Sequence, residues 1–129
     1  MKMKYFLALF ALAGGLTWAA EPHFADVFVA GEAGFSAIRI PSVVVAKNGT
    51  VLAFAEGRST PHADQAANKI VLKRSADGGR TWGALAVIAA DGTNSLNNPT
   101  SVVESDNGRV WLMYQRIPAQ LKESSRQTE

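Results

Sequence analysis

The sequence predicts an all-β chain behind a short leader, on three observations. Short β-prone runs follow one another from Phe35 onward, turn residues separate them, and no stretch keeps helical periodicity long enough for a helix. With 129 residues, 47% of them hydrophobic and 19% charged, the chain has the apolar content of a folded domain rather than of a disordered one.

The leader comes first. Lys2 and Lys4 form a basic start, the apolar run 5–16 carries no charge, and small residues follow at Thr17, Ala19 and Ala20. This is the layout of a signal peptide over residues 1–20, cut after Ala19 or Ala20, and the run is short for a membrane span. The expected location is secreted or periplasmic, with no membrane attachment after cleavage.

In the mature part, 21–129, the predicted strands are 36–40, 42–46, 51–55, 69–74, 84–89, 100–103 and 110–114. Asn48 and Gly49 predict an Asn-Gly hairpin between the second and third, and Asp106 to Gly108 a turn between the last two. Residues 56–68 read as a long loop and 91–99 as a second one, rich in Asn, Gly and Ser. The tail 118–129 is polar and has no closing strand, turn or cap signal, so the expectation is a chain truncated at its C-terminus. Trp111, Leu112 and Tyr114 alternate with other bulky residues and are expected in the core.

Charge and cysteine content remove several function classes. Thirteen basic and eleven acidic residues give a net charge of +2, and loss of Lys2 and Lys4 with the leader leaves the mature chain about neutral. No basic stripe with interleaved aromatics points to nucleic acid. There is no cysteine, so disulfides, thiolate metal sites and a Cys nucleophile are excluded together. His62 lies near Asp64, but its one companion, His23, is far away in sequence, and neither a metal nor any other cofactor is expected. Nothing in the sequence specifies an oligomeric state.

Between two predicted strands lies Ser75-Ala76-Asp77-Gly78-Gly79-Arg80-Thr81-Trp82. Its chemistry is local: the Asp carboxylate and the Ser and Thr hydroxyls can bond the turn backbone, a glycine can take positive φ, and the Trp ring can fold under the hairpin. The octapeptide resembles the Asp-box of sialidase-type β-propellers, matching at Ser75, Asp77, Gly79, Thr81 and Trp82. The resemblance implies a structural role for those residues, on the propeller face away from the active site.

Two further segments carry the resemblance. Ile38-Arg39-Ile40-Pro41 places a guanidinium in an apolar strand, which is costly unless it meets an anion or a partner. By itself it reads rather as an arginine paired with a local acid at a strand end. The segment resembles the Arg-Ile-Pro motif of sialidases, whose arginine is the first of three that clamp the substrate carboxylate. Arg58 and Asp64 lie in the predicted loop, ahead of the box by the interval seen in that family. The resemblance makes Asp64 the general acid/base and Arg58 a second positive group near the substrate carboxylate. An acid working near neutral pH needs a raised pKa, expected from closure of the site around the sugar. Glu56 is expected to pair with Arg58, and Asp91, Glu104 and Asp106 are weaker candidates at turns or a strand end.

The resemblance spans about residues 30–116 and implies the N-terminal part, about two blades, of a six-bladed β-propeller exo-α-sialidase acting on sialylated glycoconjugates. Such enzymes retain configuration with a Tyr nucleophile, activated in the family by a glutamate. A propeller needs about 160–400 residues, so the nucleophile, its glutamate and two more arginines are expected outside this chain. The chain alone is then expected to be inactive and prone to aggregate through a sheet face that lacks its neighbour. Two other readings share the box: a non-catalytic propeller binding glycans or proteins, and a propeller glycosidase or lyase for another sugar.

Overall fold

The computed structural model describes residues 21–61 and 63–124; the expected leader, His62 and residues 125–129 lie outside them. Among the described residues the chain is all-β but for two short helical pieces, a 3-10 turn at Glu32–Gly34 and α1 at Ala119–Ser124. The strands are β1 Ala37–Val45, β2 Val51–Arg58, β3 Lys69–Ser75, β4 Ala86–Ala89, β5 Ser95–Val103 and β6 Val110–Ile117. Strands β1 to β4 form an antiparallel four-stranded meander, the form of a propeller blade, and β5 pairs with β6 in a second sheet.

The core sits on both faces of β2 and β3. Residues of a strand alternate between faces, and Ala55 pairs with Val71 to form one face together with Gly57. Phe35 packs on that face, joined by Phe28, Ile38 and Leu85. Phe54, Glu56, Ile70 and Leu72 form the other face, which meets β5. Every residue from Ala53 to Arg58 is therefore buried, the pattern of a strand covered on both sides. Full burial of side chains such as Ile70 and Val71 stabilises by about 1.5–3 kcal/mol each. The stretch before β1 is tied down as well, because Lys73 Nζ lies 2.7 Å from Glu32 Oε1.

Several boundaries differ from expectation. The runs 36–40 and 42–46 are one strand, β1, with a bulge: Arg39 faces Glu56 but Ser42 faces Phe54, so Ile40 and Pro41 oppose Ala55 alone. Pro41 has no N–H for the ladder, and the bulge takes it out of the pairing. Strand β2 continues through Glu56, Gly57 and Arg58, which composition marked as loop. Side chains two apart share a face, so Glu56 and Arg58 pair and the ladder goes on beneath them. Strand β5 starts at Ser95, within the second expected loop, and carries the same kind of bulge between Asn97 and Thr100. The tail holds α1, whose first N–H, on Ala119, donates to Asn94 Oδ1 at 3.0 Å.

The turns obey local rules. Ala46 N–H donates to Thr50 O and Gly49 N–H to Ala46 O, both at 2.8 Å, with Gly49 at φ 86°. This is a three-residue hairpin loop with a left-handed glycine rather than a two-residue Asn-Gly turn. The 75–82 turn is held by its own side chains. Gly79 N–H donates to Ser75 Oγ at 2.8 Å, Thr81 N–H to Asp77 Oδ1 at 2.9 Å, and Thr81 Oγ1 to Asp77 Oδ2 at 2.6 Å. Trp82 Nε1 closes it by donating to Gly79 O at 3.1 Å. The Thr81 and Ser75 hydrogen bonds hold the Asp77 carboxyl far below the usual carboxylate range.

Two measurements check this account. A Cβ on Gly57 would lie 2.8 Å from Phe35 Cε1 and 2.9 Å from Val71 Cγ1, so Gly57→Ala is expected to lower unfolding free energy by about 1–3 kcal/mol in urea titration. Asp77 is depressed only in the folded state, so its contribution is present at neutral pH and is lost as pH falls below 3.8, the ordinary value, toward the folded one. Asp77→Asn should therefore melt below the unmodified chain at pH 7, with the gap closing in acid.

Candidate carboxylate-binding and acid–base site

The two bulges open a cavity of about 350 Å³ at one end of the sheets, lined by Arg39, Ile40, Glu56, Arg58, Asp64 and Asn98 among others. Each bulge sits before a proline, and the residue preceding it, Ile40 or Asn98, has φ 53°. Asparagine tolerates this left-handed conformation, whereas β-branched Ile40 is strained by it. Such strain costs about 1–3 kcal/mol and persists only where the surroundings enforce it. Here it turns the strand so that Arg39 reaches the cavity from the edge of the first sheet.

Arg58 is the anchor of the site. Its side chain is 3% exposed, yet its charge is satisfied on two sides. Nε and Nη2 donate to Glu56 Oε2, the first at 2.8 Å, and Nη1 donates to Asp64 Oδ1 at 2.5 Å. Burial opposes the charge, but the hydrogen bonds to Asp64 and Glu56 outweigh it and hold the guanidinium pKa above its ordinary value. Glu56 is itself fully buried, and its other oxygen, Oε1, accepts the Asn98 N–H from β5 at 2.7 Å.

Asp64 faces the opposite way, with 77% of its side chain exposed into the cavity mouth. The Arg58 hydrogen bond and then the Arg58 charge hold its carboxyl below the usual range, with Arg39 adding a smaller push. Arg39 Nη1 lies 4.0 Å from Asp64 Oδ1, too far for a hydrogen bond, and the Arg39 side chain is 53% exposed. Its fork is positioned to take an anion. The main-chain carbonyl of Asp64 is gripped from two sides, by Asn68 Nδ2 at 2.9 Å and by Asn97 Nδ2 at 2.8 Å.

The structure thus brings Arg39, Arg58 and Asp64 to one cavity. Arg58 arrives there from a strand, already engaged by two carboxylates, and not from the expected loop. Ser75 pairs with Val51 while Lys69 pairs with Gly57. The 75–82 turn therefore lies about 20 Å along the strands from the cavity, at roughly 3.3 Å per residue. Asp91 pairs with Arg116, Glu104 accepts from Trp111 Nε1 at 3.4 Å, and neither these nor Asp106 lines the cavity. No cluster of metal-ligating side chains occurs among the described residues. Sequence reasoning passed over Asn97 and Asn68. The one signal for the former is that Asn97-Asn98-Pro99-Thr100 repeats the arrangement of Arg39-Ile40-Pro41-Ser42.

Comparison with known proteins points in one direction. No family model matches the chain. A sialidase of Micromonospora viridifaciens is 36% identical over 93 residues, covering 69% of this chain and 14% of that protein. An exo-alpha-sialidase of Aspergillus fumigatus is 39% identical over 80 residues, 57% of this chain and 20% of that protein. Among solved structures, Hadza microbial sialidase Hz136 superposes with a TM-score of 0.64 at 27% identity, over 67% of this chain and 19% of that one. The chain thus spans a fifth or less of the length of these relatives. Over the part it does span, likeness in sequence and in fold agree, and the chain belongs to the sialidase family.

Proposed function

We propose that this chain supplies the first carboxylate-binding arginine and the acid–base carboxyl of an exo-α-sialidase that removes terminal sialic acids from glycoconjugates with retention of configuration. One observation carries the reading. Arg39 and Asp64, distant in sequence, meet across one open cavity at 4.0 Å. A planar guanidinium fork matches a sugar carboxylate in a way a lysine does not. On this reading Arg39 holds the carboxylate and Asp64 protonates the leaving oxygen, then takes a proton from the incoming water. Arg58, held by Glu56, keeps the Asp64 carboxyl aimed at the cavity.

Arg58 keeps Asp64 ionised, the wrong state for an acid. A bound sialoside opposes this in two ways: it covers the exposed carboxyl and brings a second negative charge beside it, and each raises a carboxylate pKa. Among the described residues the family's tyrosine nucleophile has no counterpart in the cavity, because Tyr114, on β6, does not line it. The nucleophile, its activating glutamate and two further arginines belong, on this reading, to sequence that full-length sialidases add. Export directed by residues 1–20 is part of the same proposal and places the reaction in the periplasm or outside the cell.

The Asp64–Arg58 ion pair favours a second reading, glycan binding without hydrolysis. NMR titration of the chain with N-acetylneuraminic acid tests both. Binding is expected, with no turnover of a fluorogenic sialoside, and Arg39→Ala should weaken it about ten- to a hundredfold, the worth of a charge-assisted pair. A rise in the Asp64 carboxyl pKa on saturation supports the acid role, while an unchanged pKa leaves only the binding role. Absence of binding at millimolar ligand sinks both.

A further inference from the structure

The two bulges are equivalent places in successive sheets, and both address Asp64. In β1 the residue before the strained position is Arg39, whose guanidinium lies 4.0 Å from the Asp64 carboxylate. In β5 the equivalent residue is Asn97, whose Nδ2 donates to the Asp64 main-chain carbonyl at 2.8 Å. Asn97 is 4% exposed and its carboxamide oxygen is buried with no hydrogen-bond partner among the described residues. The one side-chain hydrogen bond found for Asn97 is therefore the one its Nδ2 makes to the Asp64 carbonyl. A buried carboxamide in that condition is costly to keep unless the one bond it makes is useful.

The surroundings explain why the bond has leverage. Asp64 sits in the loop 59–68, which leaves the first sheet after Arg58, and Asn68 Nδ2 grips the same carbonyl at 2.9 Å from within that loop. Asn97 grips it from the second sheet. A second tie runs in parallel, since the Leu96 N–H donates to Asn68 O at 3.0 Å. We propose that Asn97 is a positioning residue, a clamp from the second sheet onto the Asp64 carbonyl that sets how far the Asp64 carboxyl reaches toward Arg58 and into the cavity. The inference rests on the proposed role of Asp64 for its importance, but not for its test.

Among the described residues, the charged groups facing the Asp64 carboxyl are Arg58 from β2 and Arg39 from β1, with Glu56 behind Arg58. Asn97→Ala removes no charge, and Asn97 bonds the Asp64 main-chain carbonyl rather than its carboxylate, so a change in Asp64 titration reports chiefly a change of position. Carbon-13 NMR of the Asp64 carboxyl, assigned with Asp64→Asn, reads this in the chain without ligand. Asn97→Ala is expected to move the midpoint up toward the ordinary carboxylate value, as the loop relaxes away from Arg58. Asn68→Ala/Asn97→Ala should move it further. A midpoint unchanged in both variants, with the amide spectrum otherwise retained, overturns the proposal.

Where Asn97→Ala fails to fold, the unmodified chain decides. The Asn97 Nδ2 protons are then expected to exchange with solvent at least tenfold more slowly than those of exposed Asn107, and equal rates overturn the clamp. Sialic acid binding is scored separately. A shifted midpoint without binding keeps the clamp and removes the proposed function; binding with an unshifted midpoint does the reverse.

Discussion

The arrangement of this molecule around its cavity depends on one buried carboxylate. Glu56 has no solvent exposure, and an ionised carboxylate in that position costs several kcal/mol in lost hydration. Two partners offset the cost. Oε2 takes the Arg58 guanidinium from the same strand, and Oε1 takes the Asn98 N–H from the next sheet. The first fixes the charge that holds Asp64, and the second fixes the bulge that supplies Asn97. Removal of either charged partner would leave the other stranded in the interior, a loss of about 3–5 kcal/mol in comparable buried pairs. The ion pair thus positions groups more than it stabilises the fold, which rests on the apolar faces of β2 and β3.

Strain is concentrated where those bonds converge. Ile40 and Asn98 share a left-handed backbone that neither proline-containing strand would adopt unaided. Each is enforced by tertiary contact: Ser42, after the first bulge, accepts the Ser101 N–H at 3.0 Å, and Asn98 is held by Glu56 and by Gln115. Both strained residues line the cavity, each beside a side chain, Arg39 or Asn97, that also lines it. Regular pairing would send Arg39 and Asn97 along the pleat, and the extra residue in each strand re-aims them.

The opposite end of the sheet works by different physics. The 75–82 turn contains its own donors and acceptors, so its geometry follows from eight consecutive residues and needs no partner elsewhere. Its aspartate is held far below the usual carboxylate range, yet it lies far from the cavity. Asp64 is perturbed less and matters more to the proposed chemistry. Perturbation alone does not separate a structural carboxylate from a working one; access to a cavity does.

What the sequence by itself determined was whatever is local. The all-β class followed from short β-prone runs, the self-bonded turn from its octapeptide, and the candidate trio Arg39, Arg58 and Asp64 from motif order. Motif order named the trio but not its geometry. Glu56 to Arg58 read as loop because charge and glycine lower strand propensity, and only the ion pair across one strand face let β2 continue. Asn97 and Asn98 read as loop because Asn and Pro are poor in regular strands, and only the Glu56 bond and the bulge placed them in β5. Residues 64 and 97 are joined by a contact between sheets, and long-range pairing leaves no trace in local composition. The tertiary structure alone decided that Arg58 is already neutralised, that Asp64 is open to the cavity, and that an asparagine from the second sheet holds it there.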